Sequence, residues 1–149
     1  MNVIWTNYLC RNMTWFVIKF WENKYIRQRK IIRRMIESNS FAAVYGKCQI
    51  LEADDGLTAL EAMRNEMEAG RLIQMVLMDF IMVKMNGPEA VQKMRVELGY
   101  KGVVIGVTGN ALPEDLTYFK NHGADEVITK PLTNAKLMDA IIRTSSGEA

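Results

Sequence analysis

The chain has 149 residues, of which 49% are hydrophobic and 24% charged, with 19 basic and 17 acidic side chains. This composition is typical of one globular domain with a buried core, and it excludes a disordered, collagen-like or disulfide-stapled protein. No stretch approaches the roughly 18 consecutive apolar residues of a membrane span. The two cysteines, Cys10 and Cys48, lack the spacing of metal ligands, so the sequence favours a reducing, cytoplasmic location.

Charge is unevenly distributed along the chain: residues 1–36 carry a net charge of +7 and residues 37–149 a net charge of −5. Six basic residues lie between Lys24 and Arg34, around apolar side chains spaced as in an amphipathic helix. We interpret this segment as a helix with a solvated basic face. Binding to nucleic acid or anionic lipid is the alternative, which the acidic remainder of the chain disfavours.

Residues 1–21 differ in composition from the rest, since they contain all three tryptophans. They form either a first strand, an added segment or sequence that does not belong to the native product. Beyond Tyr25, short apolar runs predict strands at 48–53, 75–78, 103–107 and 127–129. The last three runs lack polar alternation, which is typical of strands buried on both faces of a parallel sheet that helices cover.

Each predicted helix between these strands has recognisable start or stop residues. The turn Asp54-Asp55-Gly56 begins the first of them, and Gly70 ends it. Its predicted apolar face consists of Leu57, Leu60, Met63 and Met67. The following helices begin at Pro88, Pro113 and Thr133.

Three of the predicted strands end in polar residues that suit phosphoryl chemistry: Asp79, Thr108 and Lys130. Taken singly, each has an ordinary explanation as a loop residue, a cap or a solvated end. However, ligands bind at the carboxyl ends of parallel strands, so we expect the three to lie close together. A carboxylate can form an acyl phosphate while a hydroxyl and an ammonium hold the phosphoryl oxygens. A divalent cation usually completes the charge neutralisation.

The motifs around these residues resemble the receiver domains of two-component response regulators. They are Val76-Leu-Met-Asp79 followed by Met82, Met85, Asn86 and Gly87, then Val107-Thr108-Gly-Asn-Ala111, then Asn121-His-Gly-Ala-Asp125 leading to Ile128-Thr-Lys130-Pro131. The segments 29–37 and 52–56 are similar to the family's first helix and second strand-to-helix turn. The resemblance covers roughly residues 24–143.

This resemblance implies an α/β fold with a doubly wound, five-stranded parallel sheet flanked by helices, of the flavodoxin-like type. Asp79 matches the acceptor of a phosphoryl group from a phosphohistidine on a histidine kinase or histidine phosphotransfer protein. Thr108 matches the switch hydroxyl, and Lys130 matches the invariant lysine, whose bond to Pro131 is typically cis. Mg²⁺ is the implied cofactor, with Asp79 and the backbone carbonyl of Ile81 among its ligands. Any enzymatic activity is self-phosphorylation and dephosphorylation of Asp79, because the chain lacks the glycine-rich nucleotide loop of a kinase.

The sequence departs from the family where the acidic pair that binds Mg²⁺ is expected. Counting back from Arg29 puts Asn23 and Lys24 at the end of the first strand. A one-residue insertion would put Glu22 and Asn23 there instead. At most one N-terminal carboxylate then remains, so we predict weakened Mg²⁺ binding. Val127 stands where an aromatic switch residue is often found.

We interpret residues 22–144 as the receiver domain and residues 145–149 as a flexible tail. The domain is expected to be a stand-alone receiver or a fragment of a larger hybrid protein. Our leading hypothesis is a phosphorelay receiver that signals to a protein partner. The alternative is a degenerate receiver that is not phosphorylated and acts as a constitutive protein-interaction module.

Overall fold

The computed structural model describes residues 14–16, 33–34, 36–38 and 49–145. Segment 1–21 is therefore described only at one short strand, and most of the predicted basic helix lies outside the described residues. Within that helix, Arg33, Arg34 and Ile36 have helical backbones. Both arginines are exposed and Ile36 is buried, so the described part has the expected solvated basic face.

Five parallel strands form one sheet in the order β2-β1-β3-β4-β5. Their bounds are β1 (Thr14–Phe16), β2 (Gln49–Leu51), β3 (Ile73–Asp79), β4 (Val103–Thr108) and β5 (Glu126–Thr129). A first strand that lies between the second and third defines the flavodoxin-like, doubly wound arrangement. The predicted fold class is therefore confirmed, and the strand expected at 48–53 is confined to β2.

Four helices have bounds in the described ranges: α1 (Gly56–Glu68), α2 (Gly87–Val96), α3 (Pro113–Asn121) and α4 (Asn134–Ser145). Gly70, Gly99 and Gly123 follow the first three with positive φ angles, as glycines that end helices commonly do. The last helix continues to Ser145, where the tail was expected to begin. None of the helices described is long and apolar enough to cross a bilayer.

The apolar face predicted for α1 is partly wrong. Two of the four expected residues are buried, but Leu57 and Met67 are 48% and 40% exposed. Glu66 is buried instead, and Arg71 donates hydrogen bonds of 2.5 and 2.6 Å to its two carboxylate oxygens. A pattern of apolar residues misses such a position because a charged side chain can be buried when its charge is paired.

Two hydrophobic clusters lie on opposite faces of the sheet. In β3, Met75 and Leu77 belong to one cluster, whereas Val76 and Met78 belong to the other. Successive side chains of a strand point to opposite faces, so both faces of β3 are covered. The first cluster also contains Ile36 and residues of α4, and the second contains residues of α1, α2 and α3. Burial on both faces explains why the central strands are continuously apolar.

Arg95, near the end of α2, connects the segments that lead into β4 and β5. Its guanidinium donates hydrogen bonds of 2.7–3.0 Å to the carbonyl oxygens of Tyr100, Gly102 and Gly123 and to a carboxylate oxygen of Asp125. A planar guanidinium has five N–H donors and can satisfy these acceptors together. The amino-terminal edge of the sheet is thereby fixed, opposite the strand ends that carry Asp79.

We expect Arg95→Lys to lower the free energy of unfolding by about 2 kcal/mol, because a single ammonium leaves some of these acceptors without a donor. Urea unfolding followed by circular dichroism measures the change. Arg64→Lys, at an exposed position of α1, is the matched control and should change stability by less than about 0.5 kcal/mol. Equal effects of the two substitutions would contradict the role assigned to Arg95.

Candidate functional site

The three predicted site residues lie together at the carboxyl edge of the sheet. Asp79 ends β3, Thr108 ends β4, and Lys130 directly follows β5. The Lys130 ammonium donates a hydrogen bond to Asp79 Oδ2 at 2.8 Å. The Lys130 backbone N–H donates to the Thr108 carbonyl, also at 2.8 Å, and the Lys130–Pro131 peptide bond is cis. The parallel register thus brings together residues that are far apart in the sequence.

Asp79 is 6% exposed, and both of its carboxylate oxygens accept hydrogen bonds. Oδ2 accepts from Lys130, and Oδ1 accepts from the backbone N–H of Phe80 at 2.8 Å. The same Phe80 N–H also lies 2.8 Å from the carbonyl oxygen of Val107, its acceptor on β4. The orientation of the carboxylate is therefore set by neighbouring strands and by its own backbone.

Burial raises the pKa of Asp79 above the ordinary value for an aspartate side chain, because the ionised form loses its hydration. The Lys130 ammonium and the N–H groups of Phe80 and Ile81 lower this pKa, but they do not outweigh burial. Asp79 is therefore more basic than a surface aspartate. A more basic carboxylate is a better nucleophile once it is ionised.

Thr108 is 2% exposed, and its side chain is connected to the loop that follows β4. The hydroxyl oxygen accepts a hydrogen bond from the Asn110 N–H at 3.1 Å. The Asn110 side-chain amide donates to Asp115 in the first turn of α3 at 2.5 Å. A hydroxyl that accepts one bond can still donate its proton. Thr108 is thus placed between the acidic site and α3.

Gly87 lies against the backbone of Asp79. Its N–H donates to the Phe80 carbonyl at 2.8 Å, and a Cβ atom at this position would overlap the carbonyl oxygen of Asp79. Only glycine lets α2 begin this close to the end of β3. The preceding residue, Asn86, caps α2 by accepting a hydrogen bond from the Glu89 N–H.

Asp55, in the turn after β2, caps the N-terminus of α1. Its Oδ1 accepts hydrogen bonds from the N–H groups of Leu57 and Thr58 at 2.8 and 3.1 Å. Its Oδ2 lies 3.6 Å from the Lys84 ammonium in the loop after β3. The prediction that this acidic turn begins a helix is confirmed.

Two groups among the described residues have the chemistry of magnesium ligands. The Asp79 carboxylate and the Ile81 backbone carbonyl are hard oxygen ligands of the kind that Mg²⁺ prefers, and carboxylate oxygens have lone pairs beyond those already used. Within the described ranges, however, no group of three or more acidic, histidine or cysteine side chains could hold a metal ion.

The sequence departs from the family at residues 22–24. Glu22, Asn23 and Lys24 lie outside the described residues, so their part in the site stays a prediction.

An aromatic cluster beside the site was not predicted. The Phe80 ring contacts two rings of α3, those of Tyr118 and Phe119, with centroid distances of 6.2 and 5.4 Å. Tyr118 in turn contacts His122 at 4.1 Å. Phe119 packs closely on β4, because a Cβ on Gly106 would overlap its ring. No local pattern pairs these residues, since they meet only when α3 packs across the sheet.

Comparison with known proteins identifies the class. The sequence profile of the response regulator receiver domain matches residues 26–142. Two-component response regulator ORR41 of Oryza sativa subsp. japonica is 32% identical over 106 residues, which are 71% of this chain and 80% of that protein. The sensor histidine kinase RcsC of Salmonella typhi is 31% identical over 113 residues, 76% of this chain but 11% of that kinase. The chain therefore belongs to the response regulator receiver domain family.

Solved structures agree on the fold. A CheY-like response regulator receiver domain protein from Methanospirillum hungatei JF-1 superimposes with a TM-score of 0.67 at 21% identity, covering 91% of this chain and 95% of that one. A CheX–CheY complex with BeF3 and Mg²⁺ from Borrelia burgdorferi gives a TM-score of 0.68 at 20% identity, covering 89% and 88%. Receiver domains act in phosphorelay signalling, interact with histidine kinases or phosphotransfer proteins, and generally bind Mg²⁺.

The contact between Gly87 and Asp79 leads to a stability prediction. We expect Gly87→Ala to lower the free energy of unfolding by about 2 kcal/mol, because the new Cβ displaces the backbone at the end of β3. In Gly109→Ala, the control, the nearest atom to the new Cβ is Lys130 Cδ at 3.8 Å, and the change should stay below about 1 kcal/mol. Urea unfolding compares the two, and a neutral Gly87→Ala would contradict the close approach.

The raised pKa of Asp79 leads to a prediction about pH. Between the ordinary aspartate pKa and the raised one, the unfolded chain has released a proton that the folded chain retains. The stability contributed by Asp79 should therefore fall as pH rises through this window and then become constant. Urea unfolding of wild type and Asp79→Asn at a series of pH values isolates this contribution as their difference. A difference that rises with pH would show that Lys130 outweighs burial.

Proposed function

We propose that this chain is a phosphorelay receiver in which Asp79 accepts a phosphoryl group from a phosphohistidine donor and reports it to a protein partner. One observation carries the proposal: the buried Asp79 carboxylate contacts the Lys130 ammonium at 2.8 Å at the carboxyl edge of the sheet. Thr108 ends the neighbouring strand. A nucleophile, a cation and a hydroxyl are thus available at one place.

In the proposed transfer, a carboxylate oxygen of ionised Asp79 attacks the phosphorus in line with the phosphorus–nitrogen bond of the donor. A new oxygen–phosphorus bond forms as the phosphorus–nitrogen bond breaks. The bonding electrons leave with the imidazole nitrogen, which is left as neutral histidine after taking up a proton. The product on this chain is a mixed anhydride between the Asp79 carboxyl group and phosphate.

Lys130 and Thr108 hold the phosphoryl oxygens in this scheme. Forming the anhydride removes the charge that Lys130 now pairs with, so its ammonium turns to a phosphoryl oxygen that carries more charge. The Thr108 hydroxyl donates a hydrogen bond to another phosphoryl oxygen, and this alters its contact with Asn110. Because Asn110 also bonds to Asp115, the start of α3 responds to the reaction. The surface around the loop after β4 is therefore the one that we assign to partner recognition.

Incubation with acetyl phosphate and Mg²⁺ should add one phosphoryl group to the wild-type protein, detected by intact mass and lost in Asp79→Asn. Asp139→Asn, at an exposed position of α4, should be labelled like wild type. Lys130→Met should slow labelling by about 100-fold, the size expected for loss of one preorganised charge partner.

The competing hypothesis, a constitutive protein-interaction module, gives different results in the same experiment. It requires that wild type and Asp79→Asn remain equally unmodified under conditions that label a competent receiver. It also requires that binding of the partner be indifferent to the phosphodonor. Either a labelled wild type or phosphodonor-dependent partner binding removes this alternative.

We also propose that Mg²⁺ binding is weak, because Asn23 and Lys24 stand where the family has two carboxylates. Bound Mg²⁺ would supply positive charge next to the phosphoryl oxygens. A lysine in place of an acidic ligand removes a ligand and adds repulsion between like charges. A long lysine side chain can reach solvent, however, which would leave a site that is only moderately weakened.

We expect little change in the NMR shifts of the Asp79 and Ile81 amides when Mg²⁺ is added to about 10 mM, a level that saturates an ordinary carboxylate site. The double variant Asn23→Asp plus Lys24→Asp should restore saturable binding. Glu22→Gln tests whether Glu22 supplies the residual ligand. Ordinary millimolar or tighter affinity in the unmodified chain would contradict the proposal.

A further inference from the structure

Lys136, in the first turn of α4, bonds to the backbone on both sides of Lys130. Its ammonium donates to the carbonyl oxygens of Thr129 and Pro131 at 2.9 and 3.2 Å, and the Thr129 hydroxyl lies at 3.5 Å. The side chain is half-buried. Among the residues that the structure describes, no carboxylate pairs with its ammonium, and its hydrogen bonds go to oxygens of Thr129 and Pro131.

The carbonyl oxygen of Thr129 needs a donor that the sheet does not provide. Among the described strands, β5 pairs only with β4 and lies at the edge of the sheet. Since the Lys130 N–H points toward Thr108 on β4, the carbonyl of the preceding residue, Thr129, points to the other side. A half-buried carbonyl without a partner is costly, and a lysine ammonium can satisfy it.

We infer that Lys136 is a positioning residue for Lys130. Through its bonds to Thr129 and Pro131, it fixes the backbone from which the Lys130 side chain reaches Asp79. This inference deepens the proposed function and rests on it only for the expected effect on phosphoryl transfer.

The backbone around Lys130 is then held at three points. Its N–H is bonded to Thr108, and the carbonyls before and after it are bonded to Lys136. A lysine side chain has four rotatable carbon–carbon bonds and does not fix the direction of its own ammonium. A fixed backbone limits where that ammonium can lie, and small displacements of a charge partner slow group transfer strongly. Losing the two carbonyl bonds should therefore loosen Lys130 and leave the rest of the sheet intact.

The test uses three variants of the whole chain. Lys136→Met removes the ammonium and keeps the length of the side chain, Lys136→Arg keeps donors for both carbonyls, and Lys101→Met removes one positive charge from an exposed position. NMR hydrogen exchange of the Lys130 amide measures how firmly the loop is held, with the Leu77 amide of central strand β3 as an internal reference. The rate of phosphorylation by acetyl phosphate measures the consequence for Asp79.

We expect Lys136→Met to speed exchange of the Lys130 amide by about tenfold, the effect of losing one or two hydrogen bonds, without changing the Leu77 amide. In the same variant, phosphorylation should slow by about three- to tenfold. Lys136→Arg should restore most of the amide protection and most of the phosphorylation rate, and Lys101→Met should behave as wild type. Unchanged Lys130 exchange, or equal acceleration at Leu77, would overturn the inference. Faster exchange at Lys130 alone, with an unaltered phosphorylation rate, would show that the positioning by Lys136 does not affect the reaction.

Failure of the proposed function gives a different result. In that case wild type itself is not labelled by acetyl phosphate, and no variant changes the labelling. Selective acceleration of Lys130 exchange in Lys136→Met would still support the positioning role. Its absence would overturn that role whatever the labelling shows.

Discussion

The burial of one carboxylate against one ammonium is the constraint on which the site depends. Asp79 is placed at the end of a central strand, where both faces of the sheet are covered, so water contributes little to its solvation. The Lys130 ammonium and the Phe80 N–H take the place of that water. The backbones of Phe80 and Lys130 are both fixed by hydrogen bonds from their N–H groups to carbonyl oxygens of β4. The fold is thus the means by which a lysine and an aspartate from distant parts of the chain meet.

This arrangement opposes stability and supports chemistry. Because burial outweighs the attraction of Lys130, the ionised form of Asp79 destabilises the folded state relative to a neutral side chain. At the opposite edge of the sheet the interactions instead favour stability, because Arg95 donates hydrogen bonds to four acceptors there. The buried Glu66 has a lowered pKa because Arg71 donates hydrogen bonds to it. The pairing with Arg71 outweighs burial at Glu66, whereas the pairing with Lys130 does not outweigh burial at Asp79.

The sequence was sufficient to predict the structure where a residue pattern has only one structural interpretation. Continuous apolar runs predicted the buried strands, and polar residues directly after them predicted the members of the site. It was insufficient to predict contacts that form only when helices pack on the sheet. The burial of Glu66, the contact of Phe80 with Tyr118, and the bonds of Lys136 depend on how a helix lies on the sheet, which no local spacing encodes. The start of the sheet was also ambiguous, because the composition of residues 1–21 allowed either a first strand or an added segment.

Under the proposed function, the bonds that phosphorylation of Asp79 would change indicate how the site connects to the surface. Phe80 shares its N–H between Asp79 and Val107, so a loss of charge on the carboxylate shifts that N–H toward Val107. The Phe80 ring lies against Tyr118 on the exposed side of α3, while Val127 leaves β5 without an aromatic ring. The described strand β5 therefore has no aromatic side chain that could turn in response to a change at the site. Under the proposed function, the change instead reaches α3 by two connections. One is the Phe80 ring, which contacts Tyr118, and the other is the Thr108 hydroxyl, which is linked through Asn110 to the first turn of the helix.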